Sequence, residues 1–396
     1  MSTPSTERYH AFDLLRGMLM FLGVVLHGAI FFGKGGWGAA WPVRTEAGHG
    51  FFNLLVGWIH LFRMPAFFLL AGFFGARLWQ RLGAAGFLRH RVQRVLWPLI
   101  VAWLVLCPLM AALAAGGAAA RNQGGAGFGA AAWQHVISGA WLARANLMHL
   151  WFLWYLFLLF VGMWGLLLGA RRLPAAWRQR VTAGAAELVV SRYHLIVFIA
   201  LTALTLRPMR TAAIATGTAL WPRWSVLLSY AVFFLVGWLW QRRPGFLATL
   251  TRGAGWRLGL GGVLCLVSTI ANFGTMATRA RPSFALLVVT AAGCWWLLLG
   301  LIGIFLRYFS RPWPTGRYLA DASYWVYLVH IPVLFVLAPG VRTWPAPAGL
   351  VYLVLVGLTF ALCLGTYHVF VRHTFVGTFL NGPRRREKPA QAEQGA

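Results

Sequence analysis

The first apolar segment of the chain, FDLLRGMLMFLGVVLHG, carries three ionisable side chains, Asp13, Arg16 and His27. Such groups are costly inside an apolar helix, and where they occur they often serve a function. A histidine can accept and return a proton near neutral pH, which suits a general base. The eleven-residue step from Arg16 to His27 returns to nearly the same helix face, about 16 Å further along the axis. The spacing predicts a face with a cation at one end and a candidate base at the other.

The same three residues also have structural interpretations. Asp13 and Arg16 are one turn apart, so we expect them to pair, either to hold Arg16 ready for a ligand or only as a boundary pair whose arginine snorkels to the interface. Asp13 is about 21 Å from His27 along a helix and cannot orient it directly. If a carboxylate orients His27, Glu46 is the candidate, because it is the only acid expected on that side of the membrane. A solvated surface position for Glu46 is favoured, however. A backbone carbonyl or a hydroxyl is the alternative partner for the His27 imidazole. From its position alone, the alternative interpretation of His27 is a packing histidine.

Two later apolar segments add candidate residues for binding an acceptor molecule or for stabilising a negatively charged oxygen, an oxyanion, that forms during a reaction. Arg63 is a cation at membrane depth, for which interfacial snorkelling is an equal alternative. Tyr327 and His330 share a stripe of the ninth segment. Hydrogen bonding between helices is the favoured interpretation of the polar residues in that segment, His330 excepted.

The fourth segment begins with His149, Trp151 and Trp154. Tryptophans at the end of a membrane helix are most simply explained as an aromatic belt at the interface. The functional alternative is that these rings stack on a sugar at an outward opening, because aromatic faces bind the apolar faces of such ligands.

The composition sets the class of protein. The 396 residues are 60% hydrophobic and have a mean hydropathy of +0.68. Lys and Arg number 35 against seven acids, for a net charge of +28. In a soluble protein this balance would suggest nucleic acid as the partner, but here the basic residues fall in short clusters between apolar runs, which is typical of a membrane protein. We therefore expect a lipid bilayer and no nucleic acid as partner. The four cysteines lack metal-ligand spacing, so no metal site or bound cofactor is expected.

The hydropathy pattern predicts an all-α, polytopic bundle of about ten transmembrane helices. The expected spans are residues 12–33, 54–76, 95–115, 149–170, 188–206, 224–240, 257–274, 284–306, 322–338 and 349–371. Segments on the side of the N-terminus hold about twice as many Lys and Arg residues as those on the other side. This bias predicts a multi-pass protein of the inner membrane with both termini in the cytoplasm. We expect an integral membrane domain over residues 8–375 and a disordered basic cytoplasmic tail over 383–396, with the Gly- and Ala-rich loop 116–148 either mobile or covering an outward cavity.

Five stretches of sequence carry a family resemblance. They are the Arg-x10-His spacing from Arg16 to His27, MPAFFLLAGFFG, FLRHRVQRVLWP, HLWFLWYLFLLF and YLADASYWVYLVHIP. In this order, over nearly the whole chain, they resemble the membrane acyltransferase 3 family, and within it the branch of glucans biosynthesis protein C. The resemblance implies transfer of an acyl group from acyl-CoA, such as acetyl-CoA or succinyl-CoA, to a carbohydrate hydroxyl of a periplasmic glucan or another envelope polysaccharide.

By the same resemblance, His27 corresponds to the proposed catalytic histidine and Arg16 to its paired arginine. An acyl-CoA donor also needs cations for its phosphates, and Arg89, Arg91 and Arg94 in an inner basic cluster are candidates. Orientation by the positive-inside rule alone explains those three arginines equally well.

Two other classes of function fit the composition. A secondary transporter or a flippase of a glycan or lipid-linked sugar would also be a basic, polytopic bundle with buried charges. Such proteins often have inverted repeats and matched broken helices, which the sequence does not display. An assembly subunit without chemistry would leave His27 unexplained, so the acyltransferase is the favoured prediction.

Overall fold

The protein is a bundle of helices. The computed structural model describes residues 9–34, 48–122, 127–143, 146–341 and 343–382, and within these ranges there is no strand. The helices are α1 (His10–Ile30), α2 (Gly50–Arg91), α3 (Trp97–Asn122), α4 (Phe128–Ile137), α5 (Ala140–Ala143), α6 (Trp151–Ala170), α7 (Ala175–Leu188), α8 (His194–Leu206), α9 (Trp224–Trp240), α10 (Pro244–Thr249), α11 (Ala254–Ala277), α12 (Phe284–Tyr308), α13 (Pro314–Val341), α14 (Ala348–Thr366) and α15 (Phe375–Asn381). The predicted all-helical class is confirmed.

The apolar helices agree with a polytopic membrane protein. Seven helical stretches are long and apolar enough to cross a membrane, and one of them, Gly50–Ala119, contains both the second and the third predicted spans. The fifth and sixth predicted spans are the shorter apolar helices His194–Leu206 and Trp224–Trp240. The predicted start of the fifth span at residue 188 was wrong, because α7 ends at Leu188 and a turn separates it from α8.

Close approach between helices determines where the α2 and α9 backbones lie. A β carbon on Gly72 would overlap the carbonyl oxygen of Phe234, and one on Gly237 would overlap that of Leu69. Small residues at a membrane helix crossing allow such backbone contact. In α2 the φ of Gly83 is 66°, which interrupts the helix beyond its apolar part. The chain then continues through a π-helical turn, Val92–Leu96, into α3.

Helix α1 lies among the elements that carry the candidate residues. It packs most extensively against α13 and α2, and also against α12 and α14. Gly17 of α1 lies close to the backbone of Ala320 on α13. This packing brings the ninth predicted span next to the first although about 300 residues separate them. The predicted tail 383–396 lies outside the described residues, and its disorder stays a prediction, as do the domain bounds 8–375 and the cytoplasmic position of the termini.

Candidate active site

A cavity of about 1040 Å³ lies beside α1 at the end that holds His27. Its wall includes four polar or charged candidate residues, namely His27, Arg63, His149 and Tyr327. The prediction of residues 116–148 as a loop was wrong for much of that segment, because α3 continues to Asn122 and α4 and α5 follow. His135 of α4 and Trp141 of α5 line the same cavity. The cavity therefore collects residues from eight of the described helices, α1 to α6, α11 and α13, and from the loops at that end of the bundle.

His27 is hydrogen-bonded to His330. The His27 Nδ1 atom lies 2.9 Å from His330 Nε2. On its other side, His330 Nδ1 lies 3.0 Å from the carbonyl oxygen of Val326 and 2.8 Å from that of Tyr327. A carbonyl oxygen only accepts, so His330 Nδ1 carries the hydrogen and its Nε2 accepts from His27 Nδ1–H. In neutral His27 the lone pair is then on Nε2, the ring nitrogen that is not bonded to His330.

Arg63 adds a buried positive charge beside this pair. Its side chain is 9% exposed, and its Nε is buried without a hydrogen-bond partner in the described part of the chain. A β carbon on Gly23 would overlap Arg63 Nη1 and would lie 3.9 Å from His330 Nε2. The absence of a side chain at Gly23 thus lets the guanidinium approach the two histidines.

No acid from the described residues balances Arg63. The described acids are Asp13, Glu187 and Asp321, and none of them forms a salt bridge with it; Glu187 pairs with Arg243. A buried cation without a counter-charge is unfavourable, and it attracts negative charge that develops on a ligand. Glu46, the predicted acidic alternative for orienting His27, lies outside the described residues.

His149 and Tyr327 hold each other in place in the cavity wall. The Tyr327 hydroxyl donates to the carbonyl oxygen of His149 at 2.8 Å, and His149 Nε2 donates to the carbonyl oxygen of Leu328 at 3.2 Å. The ring centroids of His149 and His330 are 5.4 Å apart, and those of His27 and His330 are 5.0 Å apart. Three imidazoles therefore lie side by side, although no group of metal-holding residues is found in the described ranges.

The other residues predicted for catalysis lie at the opposite end of α1. Arg16 Nη2 is 3.6 Å from Asp13 Oδ1, so the predicted pair is confirmed. Both are on the same continuous helix as His27, and the eleven-residue step places Arg16 about 16 Å from it. Neither residue lines the cavity. The structure thus does not bring Asp13, Arg16 and His27 together into one cluster.

The inner arginines have three different surroundings. Arg94 Nη1 donates to the carbonyl oxygens of Thr378 and Phe379, each at 2.8 Å. Arg91 lies over the ring of Phe160, with 4.1 Å between its guanidinium carbon and the ring centroid, and is close enough to Arg16 for the two charges to repel. Arg89 is exposed. Only Arg91 and Arg16 therefore form a cationic pair, while Arg94 holds the C-terminal helix α15.

The two tryptophans at the start of α6 also have different surroundings. Trp151 lines the cavity and packs against the ring of Tyr230. Trp154 does not line it, and its Nε1 donates to the carbonyl oxygen of Leu220 at 3.0 Å. Because its ring is outside the cavity, Trp154 is not placed to stack on a ligand there.

Sequence reasoning missed His60 and Gly23. His60 lines the cavity one turn before Arg63, and its Nε2 donates to the carbonyl oxygen of Ile214 at 2.9 Å. It lies inside the second predicted span, so the rule that singled out His27 and Arg63 would also have identified His60. Gly23 has no such signal, because only the fold reveals that a cation fills the space beside it.

A family model identifies the class of protein. The acyltransferase 3 model, described as an acyltransferase domain, matches residues 9–368. The chain belongs to the acyltransferase 3 family. This acyltransferase is a multi-pass membrane protein, as its apolar helices also indicate.

Three similar relatives support the narrower branch of the family. They are the glucans biosynthesis protein C of Salmonella schwarzengrund, of Salmonella typhi and of Salmonella typhimurium, each 30% identical over 102 residues. The matched segment covers 26% of this acyltransferase and 26% of each relative. No solved structure matches the chain.

We predict that removing the charge of Arg63 raises the stability of the fold. Arg63→Met fills the same space without a buried cation that no described acid compensates, so the gain should be on the order of 1 kcal/mol or more. Arg94→Met is the matched control, because it removes two hydrogen bonds and should lower stability. Thermal unfolding of the purified protein in detergent measures both changes. A loss of stability in Arg63→Met similar to that in Arg94→Met would contradict the assignment of Arg63 as an uncompensated charge.

Proposed function

We propose that this membrane acyltransferase transfers an acetyl or succinyl group from acyl-CoA to a hydroxyl of an envelope glucan, with His27 as the general base. The observation that carries the proposal is the hydrogen-bonded series from the carbonyls of Val326 and Tyr327 through His330 to His27, which leaves the His27 lone pair on Nε2. His27 lines a cavity large enough for a sugar ring and an acyl group. The name of the relatives supports a glucan as acceptor.

The proposed reaction needs one group that carries the proton and one hydrogen-bond donor that stabilises the oxyanion. His27 Nε2 takes the proton of the sugar hydroxyl as its oxygen attacks the thioester carbonyl. The carbonyl oxygen becomes an oxyanion, which accepts hydrogen bonds from the Arg63 guanidinium. The carbon–sulfur bond then breaks, and the coenzyme A thiolate leaves with the proton that His27 returns. The new ester remains on the glucan, and His27 is neutral again.

The donor's phosphates are proposed to bind at the other end of α1. Arg16 and Arg91 form a cationic pair there, and Arg16 is about 16 Å from His27 along the helix. An extended pantetheine arm can connect a nucleotide at that pair with a thioester at His27. Arg89 is exposed beside the pair and can add charge, whereas the two carbonyl contacts of Arg94 favour a structural role.

This arrangement also supports a proposed membrane location for the protein and a proposed direction of acyl transfer across that membrane. The arginine pair faces the cytoplasm of a cell with acyl-CoA, and the cavity faces the compartment that holds the glucan. We therefore assign the protein to the inner membrane, with both termini on the donor side. The excess of Lys and Arg on that side supports the same orientation.

We predict that purified protein in liposomes transfers label from acetyl-CoA or succinyl-CoA to glucose oligosaccharides, and that His27→Ala lowers the rate about 10²- to 10⁴-fold. Offering the two donors separately identifies the acyl group. His194→Ala is the matched control, because His194 bonds to the carbonyl oxygen of Ser191 and does not line the cavity. Transfer that is unaffected in a folded His27→Ala variant would exclude the mechanism. No transfer from either donor would favour transport of a glycan instead.

A second prediction concerns His330, which acts through His27 and is not itself in the cavity lining. His330→Leu removes the acceptor for His27 Nδ1–H and should lower kcat at least about tenfold while the KM values change little. His330→Gln places an amide oxygen near the position of Nε2, so it should recover most of the lost kcat. Steady-state kinetics with the donor that the parent uses measures the difference. Equal loss in the two variants would indicate that His330 only packs.

A further inference from the structure

His149, in the cavity wall, carries a second imidazole lone pair to be explained. The ring is 7% exposed and belongs to the short turn Met148–Leu150 that precedes α6. Its Nε2 donates to the carbonyl oxygen of Leu328, so the hydrogen of the neutral ring is on Nε2 and the lone pair is on Nδ1. This Nδ1 is buried and has no hydrogen-bond partner among the described residues. Buried acceptors are normally satisfied, so an orphaned one in a cavity wall indicates a ligand group.

The ring is held firmly in this orientation. Tyr327 donates to the His149 carbonyl oxygen, and Leu328 accepts from the His149 ring, so α13 binds both the backbone and the side chain. The preceding residue, Met148, has a positive φ of 45°, which is strained for a methionine. The local backbone is thus kept in an unfavourable conformation that turns the imidazole toward α13 and the cavity.

The charge around His149 favours its neutral form. Arg63 is already a buried cation in the same wall, and no described acid forms a salt bridge there. A second buried positive charge beside it would be unfavourable. A neutral ring with its lone pair on Nδ1 accepts a hydrogen bond but cannot donate one to an oxyanion. Between acceptor binding and oxyanion stabilisation as roles for His149, only acceptor binding fits this geometry.

We propose that His149 Nδ1 binds a second hydroxyl of the acceptor, next to the hydroxyl that His27 deprotonates. The proposal rests on the proposed function of His27. Both imidazoles flank His330, with ring centroids 5.0 Å and 5.4 Å from it. The proposal places two hydroxyls of one sugar at these two imidazoles. The acceptor is then a polyol whose second hydroxyl selects the position that is acylated, and an alcohol with a single hydroxyl is a poor substrate.

Two substitutions of His149 separate its two nitrogens. In His149→Asn the amide lies near the position of Nδ1 and its oxygen can still accept from a sugar hydroxyl. In His149→Gln the amide reaches the position of Nε2 and keeps the contact with Leu328, but nothing replaces the lone pair of Nδ1. The Gln variant therefore tests the proposed contact without removing the bond that holds α6 to α13.

The first measurement is the Kd of a glucose oligosaccharide for the full-length protein in nanodiscs without donor, so that binding is read independently of catalysis. We expect His149→Gln to weaken binding at least tenfold and His149→Asn to stay within threefold of the parent. An oligosaccharide with the second hydroxyl removed should bind the parent as weakly as the complete sugar binds His149→Gln. Removing that hydroxyl should make no further difference to the Gln variant.

The outcomes distinguish the two proposals. Unchanged binding in His149→Gln would overturn the assignment of His149, even if transfer still depends on His27. Weakened binding in His149→Gln with no transfer by the parent would support the sugar site but contradict the acyltransferase mechanism. If neither the parent nor the variants bind the sugar, the proposed second-hydroxyl site is wrong.

Discussion

The arrangement of the candidate site depends on the hydrogen bond between His27 and His330. An imidazole in an apolar bundle can carry its hydrogen on either nitrogen, and only one tautomer presents a lone pair to a substrate. Here the carbonyls of Val326 and Tyr327 hold the hydrogen of His330 on Nδ1, and this fixes the hydrogen of His27 on its own Nδ1. Backbone carbonyls of α13 thus take the place that a carboxylate holds in many catalytic histidine pairs. In the proposed mechanism, the base is therefore oriented without a carboxylate from the described residues.

Arg63 is the positive charge beside this histidine pair. The guanidinium lies close to the histidines because Gly23 has no side chain, and none of the described acids compensates it. A preorganised positive charge in a poorly solvated cavity stabilises an oxyanion far more than it would in water. In our proposal the same charge keeps His149 neutral, so that one cation accounts for both the oxyanion site and the protonation state of the proposed sugar-binding histidine. The site divides its tasks among a base, a cation and an acceptor of hydrogen bonds.

The sequence predicted the parts of this site that depend on local spacing. The apolar runs identified the helices, and the three- and eleven-residue steps in α1 predicted the pairing of Asp13 with Arg16 and the shared face with His27. The partner of His27 could not be predicted, because His330 is 303 residues away and becomes its neighbour only through the packing of α1 on α13. The separate environments of Arg91 and Arg94 also depend on distant elements, namely Phe160 and α15. Their shared motif alone could not distinguish a ligand-binding arginine from a structural one.

The measurement that tests the central claim most directly is the tautomer of His27. Nitrogen-15 NMR of the protein labelled at histidine, with His27 assigned by its loss in His27→Ala, reports which ring nitrogen carries the hydrogen. Our account predicts a protonated Nδ1 and an unprotonated Nε2 in the resting protein. A hydrogen on Nε2 would contradict it, because the lone pair of His27 would then be on Nδ1, next to His330, and could not take a proton from the substrate.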